Sequence, residues 1–323
     1  MKNFIGIDLG GFSIKGGVFT DSGERLYSME ILTDVKRGFG PILEDISKMV
    51  FQMSESVSNC KISAVGIGIP GISEEDTGNV LFCPNLEWTD VPLGEKLREY
   101  TGLPVFVAND ATVAGFAESI FGVAKGVKNS VFITLGTGIG GGIIINNNIY
   151  SGSHGAGSEI GHMIVGDNFY NCGCGRNGCL ETFASGKALV KYAVHRLQNN
   201  KAGEFNTLSG YFEKGNLTAK VIFDQAKAGD RLANEAVDRF TTYLAKGILN
   251  IYDILDPDII ALGGGLSKAG DFLLLKVREK VAKDTFVKAL KYGDVVLAKL
   301  GNEAGTLGAA MLASNIYKKQ EKS

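Results

Sequence analysis

A chain of 323 residues is too long for one typical small domain and points to two, each large enough to bury its own core. Its hydrophobic fraction of 45% and charged fraction of 21% are those of an ordinary globular protein, and a formal net charge of -2 gives no electrostatic reason to expect nucleic acid as partner. No run approaches the ~20 apolar residues of a membrane span, and Asp8 interrupts the apolar core that a secretory signal needs, so a cytoplasmic protein is expected.

Taken in order, residues 4–7 read as a buried strand, 8–11 as a turn and 14–19 as the returning strand. The pattern recurs at 131–138, where Leu135-Gly136-Thr137-Gly138 ends a strand that returns through Gly140-Gly141-Gly142 to 143–145. Aligning Leu9-Gly10 on Leu135-Gly136 sets the hairpins 126 residues apart, an internal duplication in which each copy opens one domain. Between them, Ile42, Ile46, Met49, Val50, Met53 and Val57 recur at helical spacing, and 62–69 is a strand ending in Pro70-Gly71. Residues 73–88 read as a polar loop, 105–107 as a short strand, and Asn109-Asp110 as the entry to a helix reaching about Phe121.

Ser185 can cap a helix toward Leu197, while 199–216 reads as loops and short elements. The strongest helical pattern is 231–255, with Ala236, Val237, Phe240, Leu244, Ile248 and Ile251 in one stripe, stopped by Asp256-Pro257. A buried strand at 258–262 ends in Gly263-Gly264-Gly265, and a helix follows to about Val281. A strand at 295–300, a turn at 301–305, a closing helix at 306–318 and a solvated tail complete the chain. Strands alternating with helices imply an α/β protein of two lobes, with mainly parallel sheets led by antiparallel hairpins. Ligands in such folds sit at the carboxyl ends of strands, in the crevice between lobes.

The unusual chemistry is concentrated in residues 155–181. Cys172, Cys174 and Cys179 form a glycine-rich C-x-C-x4-C knuckle, and His162 lies ten residues before it, completing a four-ligand set for zinc. With every coordination position filled by protein, such a metal is structural. A disulfide or redox pair is the competing reading, but three cysteines leave one over in a long chain without a secretory signal. Glu159 and Glu181 flank the ligands, which suits bidentate bonding to the vicinal hydroxyls of a sugar, or else they are surface charge. As a ligand, His162 keeps one ring nitrogen for a hydrogen bond outward.

The turns at Gly10-Gly11 and Gly136-Thr137-Gly138 offer unobstructed backbone N–H groups, which is how loops cradle phosphate. One such turn is weak evidence, and two related by duplication are stronger. Asp8 ends an apolar strand, where a carboxylate needs a cation; a magnesium ion bridging phosphates would supply it, and a bond to its own turn is the alternative. Asn109-Asp110 is on its face a helix N-cap, and equally a cleft carboxylate acting as general base toward a hydroxyl. Cys60 and Cys83 read as buried thiols, Trp88 as a packing residue, and His154 and His195 as structural or exposed.

These residues resemble the ROK family of sugar kinases, named for repressors, open reading frames and kinases. The likeness covers the chain from Phe4. It is carried by I-G-I-D-L-G-G at 5–11, V-A-N-D-A at 107–111, L-G-T-G-I-G-G-G at 135–142, S-E-I-G-H at 158–162, C-G-C-G-R-N-G-C-L-E at 172–181, L-G-G-G at 262–265 and the N-E-A-G-T-L-G-A-A ending. The cysteine knuckle with its upstream E-x-G-H is the specific part. The resemblance implies an actin-like, hexokinase-like ATPase fold and usually a homodimer. The corresponding division is a small α/β lobe of residues 1–112 with 304–323 and a large α/β lobe of 113–303 bearing the knuckle.

The resemblance further implies ATP, Mg2+ and structural zinc, with phosphoryl transfer to the 6-hydroxyl of a hexose, glucose foremost. N-acetylmannosamine, fructose and allose are the other substrates to weigh. Asp110 becomes the base beside sugar-binding Asn109, with Glu159 and Glu181 as sugar ligands and His162 serving zinc and sugar. Gly71 and Asn85 border the sugar, and Gly264 and Gly265 the adenosine. Two departures stand out. Phe12 occupies the place of the family's phosphate-facing threonine, with Ser13 one place on, and Ser158 replaces a usual glycine. Rival expectations are a sugar-responsive repressor, for which the strand at residue 4 leaves no room for a DNA-binding domain, and a catalytically weak sugar-binding protein, motivated by Phe12. No nucleic acid or membrane partner is expected.

Overall fold

The computed structural model describes residues 2–57, 61–199 and 207–321. The chain divides into two compact units, one of Met1–Lys128, Gly142–Ser158 and Lys299–Ser323, the other of Asn129–Gly141 and Glu159–Ala298.

In the first unit β1 (Asn3–Leu9), β2 (Ser13–Thr20) and β3 (Arg25–Leu32) form an antiparallel meander, and β4 (Ile62–Ile69) joins β1 in parallel. β5 (Ile72–Ser73), β6 (Val80–Cys83) and β7 (Trp88–Val91) make a separate antiparallel sheet where a polar loop was expected. Its strands are two to four residues long, too short to leave a clear alternation in the sequence. β8 (Val105–Asn109) then pairs in parallel with β4, giving the order β3-β2-β1-β4-β8.

Period-2 alternation gives this sheet two buried faces. Ile5, Ile7 and Leu9 of β1 share a core with α1 (Phe39–Ser56) and α2 (Leu93–Thr101). Phe4 shares the other with α3 (Asp110–Phe121) and the closing helix α10 (Ala304–Gln320). α10 comes so close to the sheet that a methyl group on Gly6 would lie 2.6 Å from the backbone nitrogen of Ala310. The buried carboxylate of Glu118 in α3 accepts hydrogen bonds from the backbone N–H of Val123, Lys299 and Leu300, which offsets the cost of its burial. The division between units falls after α3, not at residue 112, because α3 packs on α10 and β4.

β9 (Ser130–Leu135) opens the second unit, and β10 (Ile139–Ile145) carries the chain back to the first, where β11 (Asn148–Ile149) pairs with its end. The second unit continues with α4 (Glu181–Ala184), α5 (Gly186–Gln198), α6 (Thr207–Glu213), α7 (Ala219–Lys227) and α8 (Arg231–Leu255). β12 (Ile259–Gly263), α9 (Asp271–Asp284) and β13 (Asp294–Leu297) complete it. The sheet order is β11-β10-β9-β12-β13, the same sequence of strand positions as in the first sheet, so the duplication read from the two hairpins extends to both sheets. α8 follows its expected stripe, capped by Asp230, whose carboxylate accepts from Ala233 N–H at 2.8 Å, and ended by Asp256 with φ 41°. α5 begins as expected at Ser185, whose hydroxyl accepts from Ala188 N–H at 3.1 Å.

Other expectations shift. β3 and α2 were not anticipated: β3 is largely exposed, with only Met29 and Ile31 packed in part against the core, and α2 is nine residues long with few apolar positions. The tail is helical as far as Gln320. Cys60 and residues 200–206 lie outside the described residues.

Candidate functional site

Gly10 and Gly11 join β1 to β2. The Gly10 N–H closes the turn onto Ser13 O at 3.0 Å, so this group belongs to the hairpin, and Gly11 is the turn glycine that stays in question for phosphate. Thr33, just past β3, holds the turn from beside it: its N–H donates to Phe12 O at 2.9 Å and its hydroxyl to Gly10 O at 2.8 Å. Nothing in the sequence marked Thr33, which meets the turn only through β2–β3 pairing. Phe12 projects from the turn with 92% of its surface exposed.

Asp8 sits near the end of β1, opposite Lys15 on β2, which itself pairs with Glu30 on β3. Burial pushes its carboxyl above the usual carboxylate range, Lys15 pulls it back, and Glu30 adds to the rise. A methyl group on Gly305 would lie 2.7 Å from Asp8 Oδ2, so the first turn of α10 meets this carboxylate.

At the start of α3 the cap is Asn109. Its side-chain oxygen accepts from the N–H of Ala111 at 2.9 Å and of Thr112 at 3.2 Å, while its amide donates to Gly71 O at 3.2 Å. With the cap assigned to Asn109, Asp110 is the first helical residue, half-buried, one carboxylate oxygen accepting the Ala111 N–H at 2.7 Å. Cys83 lies beside it: burial pushes this thiol up to about 11, with the Asp110 charge contributing. Asn85 is exposed, and its carbonyl oxygen would lie 3.1 Å from a methyl group on Gly11. Asp8, Gly10, Gly11, Ser13, Gly71, Asn85, Asn109 and Asp110 thus belong to one unit. Trp88 is 3% exposed and edge-on to Phe39 with ring centres 5.2 Å apart, which makes it a packing residue.

The second unit holds the other residues. Gly136 N–H closes its turn onto Gly138 O at 3.0 Å, and Gly136 O accepts from Gly186 N–H at 2.8 Å. Gly264, at φ 81°, takes a backbone conformation that disfavours side chains, and a methyl group there would lie 2.6 Å from Leu135 O. The glycines after β9 and β12 therefore meet at the carboxyl ends of parallel neighbours.

The ligand atoms of His162, Cys172, Cys174 and Cys179 lie within 4.8 Å of one another. His162 Nδ1 is 3.6 Å from Cys172 Sγ, and the sulfurs of Cys174 and Cys179 are 3.5 Å apart. A tetrahedral zinc with Zn–S of about 2.3 Å and Zn–N of about 2.0–2.1 Å sets neighbouring ligand atoms at roughly 3.5–3.8 Å, so the donor set fits such an ion. The other ring nitrogen, Nε2, faces Glu159 Oε2 at 3.8 Å, leaving it on the side away from the sulfurs. Glu181 accepts from the Cys172 thiol at 3.2 Å and from Ile139 N–H at 3.4 Å, and a methyl group on Gly138 would lie 2.7 Å from its Oε2. The Gly136-Thr137-Gly138 turn and the knuckle thus meet at one carboxylate, a contact between segments more than forty positions apart.

The chain matches the ROK family over residues 4–316. It is 38% identical over 322 residues to a glucokinase of Halalkalibacterium halodurans, covering 99% of this chain and 97% of that protein. Among solved structures it is similar to a ROK hexokinase from Thermus thermophilus, with 30% identity, a TM-score of 0.85 and coverage of 98% and 99% of the two chains. It is also similar to a ROK family glucokinase from Streptomyces griseus, solved with glucose and AMPPNP, with 33% identity, a TM-score of 0.79 and coverage of 97% and 99%. The two five-stranded sheets of equal order are accordingly those of the actin-like, hexokinase-like ATPase fold. Match, coverage and fold agree along nearly the whole length, and the chain belongs to the ROK family.

Proposed function

We propose that this chain is a glucokinase that transfers the γ-phosphoryl group of ATP to the 6-hydroxyl of glucose. The observation that carries the reading is the near-full-length likeness to the Streptomyces griseus glucokinase solved with glucose and AMPPNP. Asp110 accepts the proton of the sugar's 6-hydroxyl as that oxygen bonds to the γ-phosphorus and the bond to the β,γ-bridging oxygen breaks. Its place in the first turn of α3, next to a cap that Gly71 orients, supports this role over capping. Asn109, Gly71 and Asn85 border the sugar, and Glu159, His162 and Glu181 bind its hydroxyls. Gly11 and Ser13, together with Thr137 and Gly138, serve the phosphates in turns that Gly10 and Gly136 close with their own N–H groups, and Gly264 and Gly265 serve the adenosine.

Asp8 suits a magnesium ion, since its charge is disfavoured by burial and a cation would reverse that. When bound, magnesium neutralises phosphate charge. Zinc in the set of His162, Cys172, Cys174 and Cys179 would be structural, because four protein donors leave no open position. We further place the protein in the cytoplasm as a homodimer; among the described residues no helix is long and apolar enough to cross a membrane.

The test is ADP release measured across glucose, N-acetylmannosamine, fructose and allose. Glucose should lead in kcat/KM by about tenfold or more, as expected where a site bonds specific hydroxyls. A different preferred hexose would replace glucose in this reading, and ADP release from none of them would overturn it.

A further inference from the structure

Glu181 opens α4, a single turn of four residues whose cap position, Leu180, makes no side-chain cap bond. So short a helix does not hold itself, and its position must come from its neighbours. One neighbour is the Cys172-Cys174-Cys179 knuckle. A second is Arg239 on α8. Its guanidinium lies over the rings of Phe183 at 4.6 Å, Tyr192 at 4.8 Å and Tyr243 at 5.1 Å, and it donates to Asn168 Oδ1 at 2.9 Å.

Asn168 uses every polar group it has. Its N–H donates to Asn177 Oδ1 at 2.8 Å, and its carbonyl accepts from Asn177 Nδ2 at 3.0 Å. Its side-chain oxygen also accepts from Phe169 N–H at 2.9 Å. Its amide nitrogen donates to Thr182 O at 2.8 Å and Thr182 Oγ1 at 3.0 Å. Arginine is a donor only, so it fixes which end of the Asn168 amide faces it, and the NH2 end is thereby aimed at the carbonyl of Thr182, the residue after Glu181. Tyr170 adds a bond from its hydroxyl to the same carbonyl at 2.7 Å.

We propose that Arg239 is a positioning residue for Glu181, locking α4 from the α8 side through Asn168 and Phe183, alongside the knuckle, which holds the same turn through Asn177 and through the Thr182 hydroxyl bonded to Cys179 O at 2.7 Å. The proposal rests on the reading of Glu181 as a sugar ligand, and two readouts separate the two ideas. Arg239→Met keeps apolar packing against the rings and removes the donor. Asn168→Asp keeps an acceptor for Arg239 and turns that contact into an ion pair, but places a carboxylate oxygen against Thr182 O. If the network mattered only for bulk stability, both variants would raise exchange throughout the unit; if it orients α4, both loosen this turn selectively.

The measurement is amide exchange at Thr182, Phe183 and Ala184, alongside KM for glucose and for ATP and zinc content in the intact protein. We expect exchange and glucose KM each to rise about tenfold in both variants, the scale of one charge-assisted hydrogen bond, with zinc content unchanged and ATP KM little moved. Wild-type exchange at these amides in zinc-replete Asn168→Asp overturns the proposal, and this variant decides if Arg239→Met does not fold. Faster exchange with unchanged glucose KM supports the brace and overturns the sugar role of Glu181.

Discussion

The two glycine turns occupy equivalent places in sheets of the same strand order, yet they are tied down differently. Each uses the N–H of its first glycine to close the turn. The turn at Gly136 is then gripped by α5, through Gly186 and Lys187 N–H, and lies against the Glu181 carboxylate. The turn at Gly10 is held by Thr33 and presents Phe12 to solvent. Duplication repeated the backbone, while the segments that follow each hairpin differ. The first copy carries Asp8 on its own hairpin and Asp110 beyond it, and the second leads to a loop with Glu159, Glu181 and the set of His162, Cys172, Cys174 and Cys179 that could hold a metal.

The strongest way to break this contrast is Asp110→Asn. Loss of a general base should lower kcat by about 10²-fold or more while glucose still binds, since the sugar-hydroxyl ligands are assigned mainly to the second copy. Near-normal turnover would remove Asp110 from the chemistry. Next in size, Cys174→Ser or verified zinc removal should weaken glucose affinity by about tenfold or more, the range seen when support of a metal site is lost, with ATP affinity much less changed. Unchanged glucose affinity in folded, zinc-free protein would show that the knuckle is not what shapes the sugar loop.

Asp8→Asn probes the buried carboxylate of the first copy. Its folded pKa is raised above the ordinary 3.8, so the stability available to the protonated group is present below that value and is lost as pH rises through the folded pKa. At neutral pH the metal-free variant should therefore melt higher than the parent, by about 2 °C or more, with the gap closing as pH falls toward 4, and its turnover should drop. Equal melting at pH 7 would mean that Lys15 fully compensates the burial. The smallest expected effect is Phe12→Thr, which sharpens the contrast between turns: a hydroxyl facing phosphate should lower KM for ATP by roughly threefold or more. No change would show that the Gly10 turn binds phosphate through backbone alone.

Several of these features were legible in the residues because the physics that makes them is local. The helix at Arg231–Leu255 follows from a 3.6-residue apolar stripe between Asp230 and Asp256, and the strands at β1, β4 and β9 follow from continuous apolar runs ending in glycine. The clustering of His162, Cys172, Cys174 and Cys179 was readable because donors able to share one metal follow a spacing that is itself a sequence pattern. β3, the small sheet of β5 to β7 and α2 were not, because exposed or very short elements leave little periodic signal and are held by their neighbours.

The fold class, the duplicated hairpins and a four-residue set able to hold a metal could be read from the residues alone, since each depends on residue type and short-range spacing. Packing was needed to make Asn109 and not Asp110 the cap, to set Thr33 against the first turn and to bring Glu181 to the second. It also brought Arg239 and Asn168, 71 positions apart, into one bond behind α4. Such contacts arise from packing between distant segments, and no local pattern encodes which buried polar group will find which partner.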